Sequence, residues 1–191
     1  MTARISTSLL VPVLVGLFGT SSAAGQEPAS ASRVAVLEAP LALRLEHKSL
    51  REAVNRAMED KEGVGDAARA IDALLSSHFK HEEDLAFRPL GLLRGVAKDA
   101  SSADIASAIA MTVKIEKDLP QLLDEHRAIL EASKRLGDVA RRERKPQFLD
   151  LADRLWLHTR VAEEVLYPSA ILLGEHLRVT QEAKRPHGVK P

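Results

Sequence analysis

Two evenly spaced pairs of histidines constrain this chain more than any other feature. His47 and His78 are 31 residues apart, and His126 and His158 are 32 residues apart. Each lies on an apolar stripe. Leu43, His47, Leu50, Val54 and Ala57 form the first, and Ile71, Leu74, His78, Glu82 and Leu85 the second. Leu122, His126, Ile129, Ser133 and Leu136 form the third, and Phe148, Leu151, Leu155, His158, Ala162 and Val165 the fourth. Steps alternating between three and four residues mark one face of a helix. Four such stripes are best buried against one another, which predicts an all-α, up-down four-helix bundle.

The stripes also repeat. LEHKSLREA from Leu45 matches DEHRAILEA from Asp124, and HFKHEEDLAF from His78 matches HTRVAEEVLY from His158. Two similar helical hairpins therefore follow one another. The midpoint of His47 and His78 falls at Glu62-Gly63, beside the glycines of Gly63-Val64-Gly65. The midpoint of His126 and His158 is Arg142, within the charged break from Arg141 to Pro146. Residues equidistant from an antiparallel turn lie level, so all four histidines should meet about 15 residues, or roughly 22 Å, down the bundle.

Local signals set the boundaries. Pro40 suits the first turn of the first helix. Asp66 is placed to cap the second, and Pro89 to end or kink it. Ser101-Ser102-Ala103-Asp104 opens a short connecting helix over residues 104–116, before Asp118-Leu119-Pro120 restarts the chain. Pro168 interrupts the fourth helix. The bundle is expected over residues 38–180, with a polar tail over 181–191. Ahead of it, a basic end (Met1-Thr2-Ala3-Arg4), an apolar run (Leu9 to Phe18) and small residues near Ala24 predict a cleaved signal peptide over 1–24. Residues 25–37 read as a flexible leader. The apolar run is too short for a standard span, so the expected product is exported, periplasmic or secreted, with no stable membrane span after cleavage.

Composition narrows the chemistry. The chain has no cysteine, which excludes disulfides, thiolate ligands and a cysteine nucleophile. Its 27 basic and 27 acidic side chains balance, and aromatic residues make up 3%, so there is no electrostatic or stacking case for nucleic acid. It carries no HExxH pattern and no phosphate-cradling glycine loop, leaving hydrolase and nucleotide readings without support. Any metal must be held by histidine and carboxylate. His78 and Glu82 share one helical face, and four histidines with two carboxylates suit a pair of metal ions inside a bundle.

The second half is less regular. Four residues after His158 stands Ala162, and Glu163 lies about 140° away on a regular helix. Either a π-bulge turns Glu163 inward or this half gives no bridging carboxylate. His81 reads as a supporting or surface residue, Glu83 and Asp84 as solvated, and His176 as unconnected. A bundle whose buried histidines hold no metal is the bland alternative.

With EHKSL, HFKHEEDLAF, DEHRAIL and HTRVAEEVLYP in this order, the chain resembles the hemerythrin-like HHE cation-binding family from Pro40 to Leu177. The resemblance implies a non-haem di-iron centre that binds oxygen or a related small ligand such as nitric oxide or peroxide. The implied ligands are His47, His78, Glu82, His126, His158 and Glu163. An acid five residues after a histidine is itself a hemerythrin spacing, which favours Glu163 over Glu164. Hemerythrins proper carry a further histidine where this chain has Leu122, so one iron would keep an open position. Oxygen carriage, ligand sensing, an iron-dependent oxidase or peroxidase, and iron handling all follow as alternatives.

Overall fold

A computed structural model describes residues 37–95 and 100–184 of the chain. The expected signal peptide, the leader as far as residue 36 and the tail from residue 185 lie outside the described residues. Among the described residues there is helix and turn but no strand. Helix α1 (Leu41–Met58) is joined by residues 59–62 to α2 (Gly63–His81). A π-helical segment, Glu82–Phe87, carries α2 on into a last turn, Arg88–Leu90, and a 3₁₀ turn, Gly91–Gly95. Helix α3 (Ser102–Arg142) follows, then α4 (Leu149–Val161), a second π-helical segment (Ala162–Leu166) and α5 (Tyr167–Lys184). The last three form one continuous helical run. Helix α2 packs on α1 and α3, and α3 packs in turn on α4 and α5.

Three local expectations are revised. The separate connecting helix is absent, because residues 102–142 form a single helix of 41 residues through Pro120. Proline removes the hydrogen bond to the carbonyl four residues back, here that of Glu116. Both residues face solvent, where water can take up that carbonyl, while Ile115 and Leu122 stay buried on the inner face. The helix does begin as read, with the Ser101 hydroxyl accepting from the Asp104 N–H in a capping box. Secondly, Asp66 does not cap α2. It lies in the first turn and pairs with Arg69. The free N–H groups of Gly63 and Val64 donate instead to Glu143, at the far end of α3. Lys145 secures the same corner, its Nζ lying 2.8 Å from Asp60, 2.7 Å from Glu62 and 3.2 Å from Glu143. Thirdly, Pro168 does not stop the fourth helix, and Pro89 ends the second only after another turn. Each proline stands two residues past the end of a π-helical segment, whose wider turn relieves the clash that proline makes with the carbonyl four residues back.

The apolar core lies in three clusters, two of which flank the histidines. One runs toward the 59–62 turn and includes Leu50, Val54, Ile71, Phe79, Leu136 and Leu155. The other includes Phe87, Leu90, Ile115, Leu122, Ala162 and Tyr167. On every helix the histidine falls between residues of the two clusters, so the polar layer is sealed at both ends. Leu37, assigned to the leader, packs with Ala108 and Leu177, and helix α5 extends into the expected tail as far as Lys184.

Gly174 sets the close approach of α5 to α3. A Cβ there would stand 1.9 Å from Thr112 Oγ1 and 2.5 Å from its Cβ. Gly174→Ala should lower stability by about 1–3 kcal/mol through overpacking, measured as a shift in urea midpoint. Adding Thr112→Ala should recover only part of it, since the Cβ contact remains. An unchanged midpoint for the single variant would show that the helices separate freely.

Candidate metal centre

The four histidines meet as the spacing predicts. His47 and His158 are 1% exposed, and His78 and His126 are fully buried. They surround Glu82, also fully buried. Nε2 of His47 lies 3.0 Å from the Glu82 carboxylate, that of His158 3.3 Å, that of His78 3.5 Å and that of His126 3.6 Å. Nε2 of His78 and His126 approach to 3.0 Å. All four rings thus turn the same nitrogen inward.

The outer nitrogens explain why. Nδ1 of His47 donates to Glu83 at 2.7 Å and Nδ1 of His78 to Glu125 at 2.9 Å. Nδ1 of His126 donates to Glu163 at 2.9 Å, and Nδ1 of His158 to Glu46 at 3.4 Å. A carboxylate on Nδ1 fixes that nitrogen as the protonated one and leaves the Nε2 lone pair facing inward, as metal-binding imidazoles require. Packing holds the rings as well. His47 stacks on Phe79 with centroids 3.8 Å apart, and His126 stacks on Tyr167 at 5.7 Å.

The pattern is two-fold in the sequence. Glu46 and Glu125 directly precede His47 and His126, and each supports the second histidine of the other half. Glu83 and Glu163 stand five residues after His78 and His158, and each supports the first histidine of its own half. Glu163 is therefore the counterpart of Glu83, and the counterpart of Glu82 is Ala162. The π-helical segment does bring Glu163 to the centre's edge. Its carboxylate nevertheless rests on the outer nitrogen of His126, 23% exposed, and does not join the inner group. Glu83, read from sequence as solvated, has a partner in His47. His81 sits outside, 3.2 Å from Asp118 and 3.7 Å from Glu125. His176 borders a small apolar cavity with Leu92 and Leu173, among residues of the third cluster rather than the centre.

Tyr167 is the member that sequence reading missed. It is 1% exposed and donates to Glu82 Oε1 at 2.5 Å, with its oxygen 3.2 Å from His126 Nε2. The repeat held a signal for it, because Tyr167 and Phe87 both stand nine residues after their histidine.

The electrostatics are those of a crowded donor set. Burial opposes ionisation of Glu82, but the imidazoles of His126, His158 and His47 that face it outweigh burial and hold the carboxyl well below the usual carboxylate range. Burial also disfavours a charged His158, yet Glu46 and Glu82 push it up to about 9. At His78 burial prevails and lowers the pKa. Burial, reinforced by Glu82, raises that of Tyr167. Four inward lone pairs and one carboxylate need a positive charge among them, and without a metal a proton on His158 supplies it.

The family model for the hemerythrin HHE cation binding domain matches residues 41–170. The chain belongs to the hemerythrin HHE cation-binding family. No match was found among curated proteins or among solved structures. As a hemerythrin-like domain the chain has a donor set that suits a metal. His78, Glu82, His126 and His158 each offer a ligand atom, all within 4.8 Å of one another. His158 Nε2 is a buried side-chain nitrogen with no aligned hydrogen-bond partner among the described residues, and it faces this group. Such an orphan is costly without a ligand. The other acidic cluster, Asp60, Glu62 and Glu143, already has Lys145 as its cation.

Proposed function

We propose that this hemerythrin-like domain holds a pair of iron ions and uses them to bind oxygen or a related small ligand, nitric oxide or peroxide among them. The observation that carries the reading is the set of four inward Nε2 atoms around a single buried carboxylate, each with a carboxylate behind it. Nε2 of His47, His78, His126 and His158 would hold the metals, and the two oxygens of Glu82 could be shared between them. Iron held this way supplies coordination of, and electrons for, small molecules. The chain's own part is to fix the donors, exclude bulk water with the two flanking apolar clusters and neutralise the charge.

The family resemblance implies Glu163 as a ligand. We read its role as orienting His126, as Glu83 orients His47. An open cleft of about 330 Å³ lined by Arg44, Lys48, Arg51 and Glu83 comes up to His47 and offers a small ligand a way in. Leu122 and Ala162, both fully buried and without donors, favour a second reading. Positions they leave unfilled suit an iron-dependent oxidase or peroxidase, or an iron-handling protein of the cell envelope. We read the helices as two similar hairpins, and the segment over residues 1–24 as an export signal.

One preparation tests these points. The protein recovered from the periplasmic fraction should begin near Gly25 and contain about two irons per chain, as two-metal bundle sites do. Its visible spectrum should change when oxygen is admitted. Peroxide turnover would favour the oxidase or peroxidase reading, and reversible spectral change the carrier or sensor. If His78→Ala keeps the full iron content, the centre proposed here is wrong.

A further inference from the structure

The two halves of the centre differ at a pair of positions. Where the first half has Glu82 and Phe87, the second has Ala162 and Tyr167, at the same distances from His78 and His158. The second half thus lacks a carboxylate in register and carries a phenol instead. That phenol oxygen stands inside the donor set, 2.5 Å from Glu82 Oε1 and 3.2 Å from His126 Nε2. The His126 ring lies 14° from parallel to the Tyr167 ring, which leaves the hydroxyl little freedom to turn away. Helix α5 begins at Tyr167, directly after the π-helical segment, so the turn that sets the position of Glu163 also sets the position of this oxygen.

We propose that Tyr167 is itself a metal ligand, a phenolate that binds ferric iron in this centre and supplies the anionic oxygen that Ala162 cannot. The inference rests on the iron-binding reading above. A phenolate is a hard, anionic donor suited to ferric iron, as axial tyrosine is in some haem proteins. In the metal-free centre the phenol stays protonated and donates to Glu82. A bound cation reverses the local charge balance and favours the deprotonated oxygen. On binding, the O–H bond is exchanged for an oxygen–metal bond, the proton leaves to solvent, and no electron is transferred. Phe87 cannot do the same for the first half, so the centre is asymmetric: Glu82 from one side, Tyr167 from the other.

The competing role is that of a hydrogen-bond donor which merely holds Glu82 in place. The full chain, loaded with ferrous iron without oxygen and then oxidised, separates the two. A ferric phenolate gives a visible charge-transfer band, and excitation into it enhances phenol ring vibrations that imidazole and carboxylate ligands do not produce. The wild-type protein should show both. Tyr167→Phe, which keeps the packed ring, should retain iron but lose the band and the ring vibrations. Ferric wild-type protein without phenolate ring vibrations would overturn the proposal, as would a Tyr167→Phe spectrum identical to wild type. If Tyr167→Phe loses iron altogether, the wild-type vibrations decide alone. A wild-type chain that binds no iron fails the earlier reading, and this one with it.

Discussion

Glu82→Gln should empty the centre while leaving the bundle folded. Glutamine has the shape of glutamate and keeps an oxygen to accept the Tyr167 hydroxyl. It removes the negative charge that stands within 3.6 Å of all four Nε2 atoms. Losing an outer partner of a metal ligand costs about 10- to 100-fold in metal affinity, so losing the central carboxylate should cost at least about 100-fold. Iron per chain should drop from about two to less than one, by elemental analysis after dialysis. Glu82→Ala should behave differently. It leaves a cavity and deprives a protonated His158 of its buried partner, and breaking such pairs costs about 3–5 kcal/mol. Its metal-free form should therefore unfold at clearly lower urea than Glu82→Gln. Glu163→Gln supplies the comparison. As an orienting residue it should weaken metal binding by about 10-fold, whereas as a ligand its loss would match that of Glu82. Full iron content in Glu82→Gln would remove the central claim.

Metal-free protein should be most stable near pH 6.5 and lose stability in both directions, for two reasons of opposite sign. His158 is raised from 6.5 to about 9 in the folded chain. Its stabilisation is complete below the unfolded value and is lost as pH rises through about 9. At 1.36 kcal/mol per unit the loss is roughly 3 kcal/mol. His78 is lowered in the folded chain by burial. Below the unfolded value the unfolded state takes up a proton that the folded state refuses, so stability falls again as the solution turns acid. Iron bound at the proposed centre would replace the proton on His158. The alkaline limb should then flatten in loaded protein, because metal and proton compete for the same lone pairs. Urea midpoints measured across this range, with and without iron, check it. Parallel curves for the two forms would mean that the metal does not displace the His158 proton.

Much of this was legible because helical periodicity is a local property. The stripes through His47, His78, His126 and His158 fix which residues face inward, and equal distances from the turns fix their common depth. Both follow from the rise and pitch of a helix, with no need to know what packs against what. The continuity of α3 was not legible, because whether proline breaks a helix depends on whether its orphaned carbonyl meets solvent. Nor was the cap of α2, since Glu143 arrives from a residue 80 positions away. Glu163 was half legible. The five-residue spacing called for a π-bulge, and one is present. The repeat already aligned Glu163 with Glu83 rather than Glu82.

The sequence by itself determined the helices, the faces they bury and the donors that could reach a common layer. These depend on spacing along one chain. Only the tertiary structure decided which carboxylate backs which histidine, because each pairing joins different helices: Glu46 to His158, Glu83 to His47, Glu125 to His78 and Glu163 to His126. It also decided that Tyr167 enters the centre and that Glu163 stops at its edge. The π-helical segment before Tyr167 sends the Glu163 carboxylate to the outer nitrogen of His126, a contact between two helices that spacing along one helix does not specify.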